Sequence, residues 1–139
     1  MAEAKVQDTI NAEIGAVWAE LGNFAGIQLG PGIDSVEYEG EGVGMLRTIG
    51  LPHGNVVERL EIHDEGTHTF KYAIINDDSP LPFSDYSATV IMTDNGDGTT
   101  AVDWTGTFEP KGVDEAQAVK VACGIYGGAI AGAKKALGG

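Results

Sequence analysis

The sequence predicts an α+β fold in which an antiparallel sheet is covered on one face by a long C-terminal helix. Three observations lead there. From Val113 to Leu137 the chain reads VDEAQAVKVACGIYGGAIAGAKKAL. At about 100° per residue, Val119, Ala122, Tyr126, Ala129, Ile130, Ala133 and Leu137 share one face of this stretch. Between Ser35 and Phe108, apolar residues instead alternate with polar ones, and turn signals separate the runs. The period changes from 2 to 3.6 only towards the two ends of the chain. The apolar face of the long helix is made mostly of small side chains, so it cannot fill a core alone. It needs a curved partner, and a hollow is expected between helix and sheet.

The elements follow in order. Val6 to Ile10 reads as a short first strand. Asn11 is the expected N-cap of a helix in which Ile14, Val17, Trp18 and Leu21 repeat at i, i+3, i+4 and i+7, ending near Gly22 and Asn23. Phe24 to Leu29 is read as a second helical turn before the breaker Gly30–Pro31–Gly32. Strands then dominate. Val36 and Tyr38 share a face, as do Met45, Arg47 and Ile49, and a turn at Leu51–Pro52–His53–Gly54 leads to a strand with Val56, Glu58, Leu60 and Ile62 inward. Phe70, Tyr72 and Ile74 form the next set, followed across a loop by Tyr86, Ala88, Val90 and Met92. The DNGDG turn at Asp94–Gly98 lacks the remaining ligands of a calcium loop and is read as a hairpin turn returning through Val102, Trp104, Gly106 and Phe108. Hairpin connections imply antiparallel pairing.

Composition narrows the function classes. With 139 residues, 42% hydrophobic and 21% charged, the chain is read as a single domain over 1–139 that buries its own core. A net charge of −13 opposes binding to nucleic acid or to an anionic membrane surface. The apolar run between Lys120 and Lys134 is too short to span a bilayer. Cys123 alone forbids an internal disulfide, and no signal-peptide pattern is visible, so a cytoplasmic location is expected. The three histidines have no metal-ligand spacing, and no cofactor fingerprint is found, so neither metal nor cofactor is expected. Asp8 is read as part of a frayed edge strand, and Cys123 as inert core. The glycines on the polar side of the long helix are read as a tolerated cost, with a monomer or weak homodimer expected.

Glu58 is the most informative residue. It occupies an inward position between Val56 and Leu60, where a lone carboxylate would cost several kcal/mol or shift its pKa upward. A hairpin turning about Pro52–His53 sets Arg47 directly opposite, on the same face. The pair has two readings: a buried salt bridge that fixes register, or a functional site. The aromatic set Tyr38, Tyr72, Tyr86, Trp104, Phe108 and Tyr126 likewise reads as core or as a lining in which each buried hydroxyl needs a partner. An apolar cavity with a few hydroxyls and one ion pair has the chemistry of a small-molecule site.

Several segments resemble a known family. AEIGAVWAELGNF is similar to the first helix of the START-like (SRPBCC) superfamily, and G-M-L-R-T-I to its Gly-x-x-Arg strand. V-V-E-R-L-E-I-H-D, T-F-K-Y-A-I, L-P-F-S-D-Y and V-D-W-T-G-T-F-E-P resemble its later strands. The likeness runs from about Val6 to Leu137 and is nearest to the bacterial polyketide cyclase/dehydrase branch. The resemblance implies a helix-grip fold, birch-pollen-allergen-like: a curved seven-stranded antiparallel sheet around a long C-terminal helix, with two short helices and a hydrophobic ligand cavity. Lachrymatory-factor synthase, in the same superfamily, uses an arginine and a glutamate at positions similar to Arg47 and Glu58.

Three functions are therefore expected as alternatives. In the first, a small hydrophobic or aromatic molecule binds between sheet and helix, lined by Tyr38, Met45, Tyr72, Ile74, Tyr86, Trp104, Phe108, Ala122, Tyr126 and Ile130 and anchored by Arg47 and Glu58. In the second, the protein is a cofactor-independent cyclase, dehydratase or lyase, with Glu58 as general acid–base and Arg47 stabilising an oxyanion. In the third, a non-catalytic domain docks a partner through the glycine strip.

Overall fold

The computed structural model describes residues 1–24 and 33–138. Its elements are β1 (Ala2–Ile10), α1 (Ile14–Leu21), β2 (Ser35–Glu39), β3 (Leu46–Leu51), β4 (Gly54–Asp64), β5 (Thr69–Ile74), β6 (Phe83–Asp94), β7 (Thr100–Pro110) and α2 (Glu115–Leu137). The strands form a seven-stranded antiparallel sheet in the order β1-β7-β6-β5-β4-β3-β2. Consecutive strands from β2 to β7 are neighbours, as hairpin connections require, and β1 closes the far edge against β7. The second helical turn expected at Phe24 to Leu29, with the breaker after it, lies outside the described residues apart from Phe24.

The sheet accepts α2 because of a row of small residues. Ala4, Gly106 and Ala88 face one another across β1, β7 and β6. Above them α2 buries Ala118, Ala122, Tyr126, Ile130 and Ala133. The helix is capped at both ends. The Asp114 side chain accepts from the N–H of Gln117 at 2.8 Å, and Gly138 takes the left-handed conformation with φ 75°. The outward glycines Gly124, Gly128 and Gly132 meet nothing within 4 Å of where a Cβ would stand. No helix among the described residues is long and apolar enough to cross a membrane.

Three local expectations need correction. The N-cap of α1 is Glu13, with no side-chain cap bond, and not Asn11. β1 is not frayed: it pairs with β7 from Ala2 to Ile10, and Asp8 reaches Lys134 of α2 at 2.8 Å, which lowers the Asp8 pKa. Ile62 points outward and is 46% exposed. The cause is a bulge between Leu60 and Ile62, which sets Ile62 against Lys71 and His63 against Phe70.

Candidate functional site

The turn at Pro52–His53 does fix the register that sets Arg47 opposite Glu58. Both side chains are largely buried, at 12% and 9% exposure. Arg47 donates from Nε and Nη2 to the same carboxylate oxygen, Oε1 of Glu58, at 2.8 and 2.5 Å. Its Nη1 donates to the carbonyl of Phe24 at 3.0 Å, and the guanidinium lies 4.0 Å from the centre of the Phe24 ring. Among the described residues, no hydrogen bond reaches Oε2 of Glu58. Ile74 sits across from Glu58 on β5. Tyr38 sits across from Arg47 on β2, but it is 39% exposed and stands at the edge of the sheet, outside any enclosure.

The aromatic residues gather further along the same face. Tyr72, Tyr86 and Tyr126 form a relay of hydroxyls, with O···O distances of 3.1 Å from Tyr72 to Tyr86 and 2.5 Å from Tyr86 to Tyr126. Burial raises the pKa of all three far above the ordinary tyrosine value, and the Glu58 charge adds to the effect at Tyr72. Tyr126 stacks on Trp104 with ring centres 5.0 Å apart. Its hydroxyl fits because position 106 is glycine: a Cβ there would stand in clash with the Tyr126 oxygen. Phe108 packs at 4.6 Å on Phe83. Phe83 was not among the sequence-derived lining. A bulge between Ser84 and Ser87, with Asp85 at φ 52°, turns both Phe83 and Tyr86 inward. Trp104 Nε1 is a fully buried side-chain donor without a partner among the described residues.

These contacts correct the expected hollow. The space left by the small residues of α2 is taken by Tyr126 itself and by the rings of Trp104, Tyr86, Phe108 and Phe83, with Ala122 and Ile130 fully buried beside them. Open volume is found instead at the α1 end of the sheet. A pocket of about 390 Å³ is lined by Trp18, Gly22, Phe24, Met45, Leu60 and His63, among others. Met45 is the member of the expected lining that reaches it. The backbone pins Met45 there, because its carbonyl accepts from Leu60 N–H at 3.0 Å while Gly44 N–H donates to the Leu60 carbonyl at 2.8 Å. His63, brought inward by the β4 bulge, lies against Trp18 at 4.8 Å and bonds the Gly22 carbonyl at 3.0 Å. Phe24 belongs to the pocket wall and to the Arg47 contact at once, so it separates the open volume from the ion pair. The amphipathic pattern of α1 was the sequence signal for Trp18, but it could not distinguish a pocket wall from core.

Comparison with known proteins places these observations beside a family and three solved structures. The model of a family described as polyketide cyclase/dehydrase and lipid transport matches residues 1–138. The structure of protein XoxI from Bacillus cereus is similar at 27% identity and a TM-score of 0.84, covering 98% of this chain and 95% of that one. An uncharacterised protein from Bacillus thuringiensis is similar at 27% identity and a TM-score of 0.83, covering 97% and 98%. A point mutant of norcoclaurine synthase from Thalictrum flavum, in complex with a transition-state analogue, shares the fold at 18% identity and a TM-score of 0.75, covering 97% and 92%. Comparison with curated proteins finds no match.

Proposed function

The chain belongs to the polyketide cyclase/dehydrase and lipid transport family, and from that premise we propose that it acts as one ligand-binding domain over residues 1–139 for a small hydrophobic or aromatic molecule. The observation that carries this reading is the pocket beside α1, whose apolar wall of Trp18, Phe24, Met45 and Leu60 adjoins a buried ion pair. The guest enters along that wall and meets Arg47 and Glu58 as its polar anchor once the Phe24 ring turns aside. Tyr72 orients it from the adjoining strand.

Native mass spectrometry of protein purified from its own host tests the reading. The expected result is a small-molecule adduct that a Leu60→Trp substitution, which fills the pocket, removes. Absence of any adduct, together with failure of added aromatic compounds to bind, would overturn it.

A catalytic reading has one observation in its favour. Oε2 of Glu58 accepts no hydrogen bond among the described residues, which suits a base facing a substrate proton. Under that reading Arg47 stabilises the charge developing on a substrate oxygen. Glu58→Gln would then keep ligand binding and lower turnover by about 10² or more. Unchanged turnover in that variant removes the catalytic role and leaves the binding role intact.

A further inference from the structure

We propose that the guest of the pocket beside α1 is an uncharged aromatic molecule bearing a hydrogen-bond donor, as an indole or an aryl amine does, and that Nδ1 of His63 accepts that hydrogen bond. This rests on the binding reading above and names the chemical class of its ligand.

The tautomer of His63 is fixed by its partner. Nε2 lies 3.0 Å from the Gly22 carbonyl. A carbonyl only accepts, so Nε2 carries the proton, and in the neutral ring Nδ1 is left as a lone-pair acceptor. Nδ1 has no hydrogen-bond partner among the described residues. Nor is it sealed in: among those residues, the fully buried side-chain atom without a partner is Trp104 Nε1. His63 lines the pocket, so its spare acceptor stands at the open volume. The ring is held in that pose from several sides. It packs on Trp18 with ring centres 4.8 Å apart, and Trp18 in turn meets His68 edge-on at 5.5 Å. Position 22 is glycine, where a Cβ would run into the Trp18 ring. The β4 bulge adds the last constraint by turning His63 inward.

The rest of the wall sets the charge of the guest. Trp18, Phe24, Met45 and Leu60 are apolar, Asn23 is already engaged, and no lysine or arginine stands among the described lining residues. The charged side chain of the wall is Glu65. The Arg47 guanidinium lies against the Phe24 ring and is committed to Glu58 and the Phe24 carbonyl. With a whole-chain charge of −13, a carboxylate guest would meet Glu65 and a lone pair, with no cation in the wall. An ammonium would gain little from Glu65, which is exposed, and would lose hydration against the apolar wall. An ether or a ketone would bring a second acceptor to Nδ1. A neutral donor on an aromatic frame satisfies the nitrogen while the frame covers the apolar wall.

Isothermal titration of the full chain with indole, 1-methylindole and indole-3-carboxylate tests this, in mildly alkaline buffer, which favours the neutral imidazole. Methylation removes the donor and adds apolar surface, so the hydrophobic effect alone would favour 1-methylindole. The expected result is that indole binds tighter than 1-methylindole by about 3- to 10-fold, the range for a neutral hydrogen bond. It should bind tighter than indole-3-carboxylate by about 10-fold or more. His63→Phe, which keeps a ring against Trp18, should erase the preference for indole over 1-methylindole. Glu65→Gln should narrow the gap to the carboxylate and leave that preference intact. In the native protein, the nitrogen NMR signal of His63 Nδ1 should move further with indole than with 1-methylindole, with His53 in the β3–β4 turn as internal reference. Equal affinities of indole and 1-methylindole for the native protein, or a preference fully kept in His63→Phe, would overturn the inference and leave the binding reading standing. So would an Nδ1 signal that responds equally to both, or a carboxylate that binds as tightly as indole. Failure of all three probes to bind would overturn it and, with no adduct retained from the host, the binding reading too.

Discussion

The two ends of the concave face are built on opposite principles. Beneath α2, polar atoms are few, rings stack on rings, and the hydroxyls of Tyr72, Tyr86 and Tyr126 bond one another in a row. Beside α1, a charged pair is buried with one carboxylate oxygen unengaged among the described residues, next to open volume. One end resembles a finished core and the other a core left incomplete. The difference teaches where to look for function. Aromatic residues that looked like a ligand lining complete the packing, while the open wall is drawn from α1 and the residues after it, from Gly42 and Met45 before β3, and from β4.

Substitutions at the two ends should separate these roles. The largest effect is expected at the ion pair. Glu58→Ala leaves the Arg47 guanidinium buried with only the Phe24 carbonyl as acceptor among the described residues, and should lower stability by about 3 kcal/mol. Urea denaturation measures it. The double variant Arg47→Met with Glu58→Leu should recover most of that loss but no longer bind the ligand, since both halves of the polar anchor are gone. A double variant that still binds would make the pair a register device and nothing more. Next comes the packed end. Gly106→Ala forces the Tyr126 hydroxyl out of its place and should cost about 2 kcal/mol, the range for overpacking. The three-tyrosine relay should break with it. A thermal midpoint equal to that of the native protein would show that the packing there is looser than the contacts require.

The smallest effect concerns pH. Each tyrosine of the relay has its folded pKa raised above the ordinary value of 10.0. The folded state therefore holds protons that the unfolded state releases above about pH 10. Stability is complete below that pH and falls as pH rises, by at most roughly 1.4 kcal/mol per pH unit for each tyrosine. Replacing Tyr86 by Phe should make the alkaline decline shallower. An unchanged slope in that variant would place the alkaline sensitivity outside the relay.

How much of this was legible in the sequence differs between the two ends. The strands, the α2 face and the Arg47–Glu58 register follow from periodicity and one short turn, both local signals. The pairing of Tyr72, Tyr86 and Tyr126 is not local, but the inward faces of Tyr72 and Tyr86 were readable from alternation and that of Tyr126 from the helical period. What was hidden depended on features that interrupt alternation. The bulges in β4 and β6 brought His63 and Phe83 inward without any turn residue to announce them. The filled hollow was hidden as well, because ring orientation decides whether small helical residues leave a void or a socket.

The β4 bulge has a consequence of its own. The supernumerary residue, Glu61, sits between Leu60 facing Tyr72 and Ile62 facing Lys71. A chain lacking Glu61 would keep each of those partners, and His63 would still oppose Phe70. Such a strand would merely lie straighter, since bulges bend the strand that carries them and increase its twist. The surplus glutamate therefore governs contour: it bends β4 between Leu60 and His63, the two residues of that strand that line the pocket.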